Sequence, residues 1–249
     1  MKDKIDVKTY GDYPTGDVLF ASCDSKYFLD HGPAFMMSAI KYKQNLHLHV
    51  VNPTKEAHDL RDKAVKFDNL TFTGEETDLK DMDARTYYAC NRFIVAPYVL
   101  QYCNKVLILD VDNYLMSETI WPNDKHEVGL FLRDPLPGTV GWEQESTHVA
   151  AGIVYLDMKR ALSFAIDVSD KIRSADKFIW FLDQNALWKS YNHWKDKLNF
   201  YKFERHAMDW EFKYGTMLWT GKGPRKYDNK LYVEQKDKYT KDFYESCNI

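Results

Sequence analysis

Two aspartates one residue apart, Asp110 and Asp112, stand directly after the apolar run Val106 to Leu109. A short apolar run of this kind reads as a central strand buried on both faces. Two carboxylates at the exit of such a strand lose hydration and repel each other, which is costly unless something binds them. Carboxylate oxygens suit hard divalent ions, Mg²⁺ or Mn²⁺, and those ions also hold substrate phosphates. The alternative is structural, with Asp110 capping a turn and Asp112 solvated. The four apolar residues before the pair favour the metal reading.

Other polar residues stand where chemistry is conceivable. Arg92 is followed by Phe93, Ile94 and Val95, and an arginine on so apolar a helix is expected to have an anionic partner. Asp24 and Tyr27 follow the first strand, where a base could stack on the ring and have its edge read; plain packing is the other role open to Tyr27. Asp183 and Gln184 open a helical segment, where a carboxylate is favoured by the helix dipole and could serve only as a cap. The loop GKGPRK carries Lys222, Arg225 and Lys226.

The elements around these residues alternate. Asp17 to Ser22, Leu46 to Val51, Leu70 to Thr73 and Lys105 to Asp110 read as strands, followed by Glu127 to Leu132 and Ala150 to Asp157. Between them lie a helix opened by Gly32-Pro33 and running through Ala34 to Tyr42, and one capped by Thr54 and reaching about Phe67. A third spans Asp83 to Cys103, with Pro97 marking a kink or a fresh start. Met158 to Arg173 and Asp183 to Trp194 are helical, the latter with Ala186, Leu187, Tyr191 and Trp194 as its apolar stripe. This alternation predicts an α/β domain with a mostly parallel sheet flanked by helices. Ligands of such sheets bind beyond the carboxyl ends of the strands. The segment from Gly221 is loop-like, and Lys236 to Ile249 reads as a terminal helix or partly disordered tail.

Bulk properties narrow the partners. The 249 residues fit a single domain, here 1–249, with a first half at about 15–115, a second at about 116–230, and a tail at 231–249. With 34 basic against 37 acidic residues the net charge is -3, which argues against a nucleic-acid binder. No apolar run approaches the ~20 residues of a membrane span, and the polar stretch Met1 to Thr15 has no signal-peptide core. The four scattered cysteines, Cys23, Cys90, Cys103 and Cys247, form no CxxC pair, so reduced thiols and a cytoplasmic location are expected. Aromatics make up 15% of the chain; between Trp180 and Trp219 they could wall a sugar site or fill a core. The oligomeric state is not legible.

The segment KVLILDVDNYL resembles the DxD segment of family 8 glycosyltransferases, the group that includes glycogenin and the bacterial galactosyltransferases of lipopolysaccharide synthesis. Four other segments resemble that family in the same order: VLFASCDSKYF its first strand and nucleotide loop, YYACNRFIVAPYVLQYC the helix before the DxD strand, VAAGIVYLDMKRA its N-A-G strand, and FLDQNALW its D-Q-D-A-L segment. The resemblance runs from about residue 17 to 190. It implies a GT-A (Rossmann-like) fold, a nucleotide-sugar donor, most often a UDP-sugar, a carbohydrate acceptor, a divalent cofactor (Mn²⁺ or Mg²⁺), and transfer with retention. It assigns Ser22, Asp24, Tyr27, Arg92, Asp110 and Gly152 to the donor, Asp110 and Asp112 to the metal, and Asp183 and Gln184 to catalysis at the sugar.

Two departures stand out. Ala150 replaces the asparagine of the strand motif. At the C-terminal H-x-x-G-x-x-K-P-W motif, Met217 to Lys226 reads MLWTGKGPRK, so that Leu218 or Thr220 falls where the metal-binding histidine is expected. His206 is then the candidate third ligand, and Lys222, Arg225 and Lys226 the candidate phosphate-binding cations. A haloacid-dehalogenase-like phosphatase would require D-x-D-G-T near the N-terminus, and a sugar nucleotidyltransferase a glycine-rich loop after the first strand; neither is present. The alternative to an enzyme is a non-catalytic nucleotide- or sugar-binding module of the same fold.

Overall fold

Strands and helices succeed one another because apolar runs of strand length alternate with capped amphipathic segments. The computed structural model describes residues 8–80, 82–133 and 145–247. Residues 1–7 of the polar opening stretch, and the last two of the expected tail, lie outside that range. In chain order the first half comprises β1 (Thr9–Gly11), β2 (Gly16–Asp24), α1 (Ser25–Lys41), β3 (Leu46–Val51), α2 (Lys55–Ala64), β4 (Leu70–Glu75), α3 (Ala84–Leu100) and β5 (Cys103–Leu109). The second comprises β6 (Asn113–Leu115), β7 (Val128–Leu132), β8 (Val149–Asp157), α4 (Met158–Arg173), α5 (Leu182–Trp194), β9 (Phe200–Lys202), β10 (Met208–Asp209), β11 (Leu218–Thr220), α6 (Arg225–Asp228) and α7 (Lys230–Ser246).

The main sheet has eight strands in the order β1-β4-β3-β2-β5-β8-β7-β9. Strands β4, β3, β2 and β5 run parallel, as helical crossovers require. β8 then enters antiparallel to β5, and β7 antiparallel to β8. Side chains of β5 alternate between two cores: Leu107 and Leu109 pack with Phe28 and Phe35 of α1, while Val106 and Ile108 pack with Phe93 and Ile94 of α3. All four β5 residues are fully buried, and each contributes on the order of 1.5–3 kcal/mol by leaving water. This two-sided burial is what the uninterrupted apolar run demands.

A second sheet of three short strands, β10-β11-β6, shares the α1-side core through Met208, Leu218 and Trp219. Its register matters for the site, because Thr220 pairs with Asn113 and so brings the segment after β11 beside the DxD turn.

Several element bounds differ from expectation. Helix α1 begins at Ser25, not at Ala34. Asp24 caps it by accepting from Tyr27 N at 2.8 Å, and Pro33 lies inside it. The helix persists through the proline because Phe28, Phe35 and Met36 are buried on either side of it. Gly32 is required there, since a Cβ would lie 2.7 Å from the Phe28 ring. α3 likewise runs unbroken through Pro97, in its last turn. The region after residue 231 is the regular helix α7. Asn229 caps it by accepting from Leu231 N and Tyr232 N, and Tyr232, Tyr239 and Phe243 are buried at helical spacing.

Candidate functional site

The carboxyl ends of β2 and β5 and the opening of β8 frame a cleft of about 430 Å³. Ser22, Asp24, Tyr27, Arg92, Asp110, Asp112, Gly152, Asp183, Gln184, Lys222 and Lys226 all line it. Eleven of the thirteen residues singled out above, separated by up to two hundred positions, thus converge on one cleft. Arg225 and His206 do not line it. Arg225 is exposed on α6. His206 is half exposed, its Nδ1 at 3.7 Å from Glu204 Oε2.

Asp110 leaves β5 where the sheet is tightest. Leu109 pairs with Ile153, so Asp110 comes against Gly152. A Cβ at 152 would sit 2.9 Å from Asp110 Oδ2 and 2.9 Å from Met208 Sδ, which is why this strand position is glycine. Arg92 reaches across from α3. Its Nη1 lies 2.6 Å from Asp110 Oδ1, and its Nη2 donates to Asp183 Oδ2 at 3.0 Å and to Ala151 O at 3.3 Å. The expected anionic partner of this buried arginine is therefore a pair of carboxylates.

One guanidinium shared between two acids does not fully offset their loss of water. Burial raises both carboxyl pKa values, against the opposing pull of Arg92. The burden falls more on Asp183, whose side chain is 8% exposed, than on Asp110, which keeps 32% open to the cleft.

Asp183 is not the helix cap. The cap position is Phe181, which offers no side-chain bond and adopts φ 72. A left-handed backbone at a bulky residue stores strain of order 1–3 kcal/mol. The Asp183 carboxylate faces Arg92 and accepts from Gln184 N at 2.8 Å. With its amide oriented to satisfy its neighbours, Gln184 donates to Val149 O at 2.6 Å and Ser146 O at 2.7 Å.

Asp112 is held from three sides. Its Oδ2 accepts from the Tyr27 hydroxyl at 2.7 Å and from Lys226 Nζ at 2.9 Å, and Lys226 also donates to the Tyr27 hydroxyl. Its backbone carbonyl accepts from Tyr232 at 2.7 Å and from Gly221 N at 3.1 Å. Burial, and then the charge of Asp112, push the Tyr27 phenol far above its ordinary pKa, so it remains a donor. Burial would lower Lys226, but Asp112 outweighs it and the ammonium pKa is raised. The Tyr27 ring is covered by Lys226 Nζ, 4.8 Å from its centroid, and by His31 at 4.6 Å. Tyr27 thus bonds the DxD turn through its hydroxyl, a contact that neither base stacking nor plain packing, the two roles open to it from the sequence, had specified.

The centre therefore holds three carboxylates against two cations. Among the described residues no group of three His, Cys, Asp or Glu side chains is gathered that could hold a metal. Leu218 is buried in β11, and Thr220 lines the cleft. The cations that Asp110 and Asp112 meet in the structure are Arg92 and Lys226.

Several participants had no local sequence signal. Ser22 Oγ donates to Asn91 Oδ1 at 2.6 Å, and Asn91 Nδ2 and the Tyr87 hydroxyl both donate to the buried Glu75. Arg133, just beyond β7, and Trp210, just beyond β10, line the mouth with Lys222. Of the aromatics from Trp180 to Trp219, Trp180, Phe181 and Trp210 line the cleft, whereas Phe203, Phe212 and Trp219 are core. The aromatics of this stretch are thus divided between the cleft lining and the core.

No protein-family model matches the chain, and no curated protein matches it. Solved structures do. The apo form of the glycosyltransferase GlyE of Streptococcus pneumoniae TIGR4 is similar at TM-score 0.56 and 13% identity, covering 94% of this chain and 64% of that one. The chain thus spans about 64% of GlyE. The galactosyltransferase LgtC, in complex with donor and acceptor sugar analogues, is similar at TM-score 0.59 and 14% identity, covering 92% of this chain and 95% of that one. At these identities the likeness is one of fold, and the expected α/β architecture is the one these glycosyltransferases share.

Proposed function

We propose that this chain is a glycosyltransferase that takes a sugar from a nucleoside-diphosphate donor, UDP-sugars foremost, and passes it to a carbohydrate acceptor with retention. The observation that carries this reading is the Arg92 bridge. A single guanidinium joins the DxD carboxylate Asp110 to Asp183, the acid assigned to the sugar. A donor lying along that bridge has its diphosphate at Asp110, Asp112 and Lys226, and its sugar at Asp183 and Gln184. The fold shared with LgtC, whose structure holds donor and acceptor analogues, supports the same placement.

A divalent cation fits Asp110 and Asp112. The donor set is all oxygen, as Mn²⁺ and Mg²⁺ require. The Lys226 ammonium already stands on Asp112 as a cation, and the centre carries one carboxylate in excess before any diphosphate arrives. With only two protein carboxylates, the diphosphate itself would supply further ligands. Such an ion neutralises charge on the departing diphosphate.

In the reaction the bond from the anomeric carbon to the diphosphate oxygen breaks, and the nucleotide leaves with the electron pair. The acceptor hydroxyl oxygen forms the new bond to that carbon and passes its proton to the departing diphosphate. The chain's own part is electrostatic. Lys226 faces charge developing on the leaving group, and Asp183 faces the oxocarbenium-like sugar. Arg92 holds Asp183 in place and favours its ionised form against the opposing effect of burial.

The test is donor hydrolysis by the full chain with Mn²⁺ across a panel of nucleotide sugars, alongside calorimetric titration of UDP. A transferase binds UDP and slowly hydrolyses its own donor. Binding with no turnover of any donor, with or without acceptor, would instead establish the non-catalytic module.

A further inference from the structure

Besides Arg92 and Lys226, which are paired with carboxylates, Arg133 and Lys222 line the cleft. Arg133 follows β7, and its Nε is out of water with no acceptor among the described residues. Lys222 follows β11 and has no carboxylate partner among the described residues; its Nζ lies 4.6 Å from the centre of the Trp210 ring. Arg205 stacks on the same ring at 4.4 Å, but it is paired with Glu211 at 3.0 Å. The positive groups crowd one another. Withdrawal of the Lys222 head group into the cleft mouth, and then the charges of Arg133, Arg225 and Arg205, push its ammonium down to about 8. In a chain of net charge -3, cations with no carboxylate partner among the described residues are not expected to gather at one cleft by composition alone.

Arg133 stands apart from the DxD turn, whereas Lys222 lies closer to it, since its neighbour Gly221 donates its N–H to the Asp112 carbonyl at 3.1 Å. The DxD turn follows β5. Arg133 follows β7, with β8 between, and strand spacing sets the two backbones about 10 Å apart. Lys226, not Lys222, is the lysine on Asp112. Next to the unpaired cations stands a half-buried tryptophan ring, and at the α5 entrance to the cleft stand Trp180 and Phe181, 58% and 44% exposed. Flat rings accept the C–H faces of sugars, and Arg and Lys accept oxyanions.

We propose that the acceptor of this enzyme is an anionic carbohydrate: a phosphate or carboxylate on or beside the receiving sugar is held by Arg133 and Lys222 while the sugar ring packs on Trp210. This rests on the transferase reading above. It explains why Arg133 and Lys222 have no carboxylate partner among the described residues while Arg92 and Lys226 are paired.

The experiment is equilibrium binding to the full chain, with and without saturating UDP and Mn²⁺. The probes are glucose and galactose, each as the neutral sugar, the 6-phosphate and the uronate, with inorganic phosphate as control. The 6-phosphates or uronates are expected to bind about tenfold or more tighter than the neutral sugars, a difference that shrinks in high salt. Whichever anion binds better identifies the group. Arg133→Gln and Lys222→Gln should each remove most of this preference, and Lys222→Arg, which keeps the charge, should restore it. Lys222 is exposed and its replacement does not threaten the fold, so the result is readable even if Arg133→Gln destabilises. Equal binding of charged and neutral sugars overturns the proposal. So does competition between UDP and the charged sugars, or inorganic phosphate binding as tightly as the sugar phosphates. Failure of the transferase reading shows separately, as wild-type protein that neither binds UDP nor hydrolyses any donor; charged-sugar preference surviving in such protein would strike the acceptor role alone.

Discussion

Replacing Arg92 with methionine tests the centre of the site through stability, independently of any donor. Methionine keeps the packing of the stem against Phe93, which the guanidinium carbon approaches to 4.9 Å, and removes only the charge. Two carboxylates lose their shared partner. Breaking a buried pair from one side costs ~3–5 kcal/mol, and since Asp110 is partly open to the cleft, Asp183 should carry most of the loss, about 3 kcal/mol. That corresponds to a fall in melting temperature of roughly 6–12 °C for a chain of this size. The loss must depend on pH. Both carboxyl pKa values already lie above the unfolded value of 3.8, and without Arg92 they rise further. A carboxyl with a raised folded pKa destabilises the fold increasingly as pH rises from the unfolded value through the folded one, and ceases to do so below both. The gap between wild type and variant should therefore be widest at neutral pH and should narrow toward about pH 4–5. Urea or thermal unfolding of both proteins at several pH values measures it. A gap that is the same at all pH values, or under about 1 kcal/mol at neutral pH, would refute the account of Arg92 as the shared ion-pair partner of Asp110 and Asp183.

Three further outcomes follow from the same geometry. Asp112→Asn should abolish Mn²⁺-dependent UDP affinity, read by calorimetry with and without chelator; an unchanged affinity removes the metal role of the DxD pair. Asp183→Asn should lower kcat for donor hydrolysis by on the order of 10²–10³, with little change in UDP affinity, and a variant that melts earlier but turns over normally would make Asp183 structural. Acid should weaken the fold through buried histidines. Burial, as the first cause, holds His47 down at about 3 and His31 at about 4, below the unfolded value of 6.5. Their contribution is complete above that unfolded value and is lost as pH falls toward the folded ones, at up to ~1.4 kcal/mol per pH unit for each ring. His47→Gln, which still meets Thr71 and Thr73, should remove about one proton's worth of that slope from unfolding curves; an identical slope would show that His47 is not neutral in the fold.

The parts of the site legible in the sequence are those with a local signature. Val106 to Leu109 announces a strand buried on both faces, so the exit at Asp110 and Asp112 was visible, and Arg92 was conspicuous among apolar neighbours. The parts that were missed depend on contacts between distant segments. β6, β10 and β11 have only two or three residues each, too few for a period to show, yet their pairing is what carries Lys226 to Asp112. Arg133 and Trp210 sit in unremarkable loop contexts and come together only as linings of one cleft. Helix α1 was expected to start at its proline because Gly32-Pro33 is a strong local start signal; burial of Phe28 and Phe35 overrode it. His206 was a candidate by its chemistry alone, and the turn before β10 leaves it outside the cleft.

Helix α7 never lines the cleft, but the Tyr232 hydroxyl that it carries is bonded to the Asp112 carbonyl 120 residues away. Tyr239 reaches Leu115 O in the same way at 3.1 Å, and the Tyr114 ring lies 4.9 Å from that of Tyr232 in a stack. These bonds tie the helix to the DxD turn, so unfolding the helix would strip the Asp112 and Leu115 carbonyls of their partners. Anything that binds the folded turn should therefore stabilise the helix by mass action. Amide hydrogens between Lys230 and Ser246 should consequently exchange more slowly with solvent deuterium once the cleft is filled, so that a helix remote from the ligand becomes its reporter.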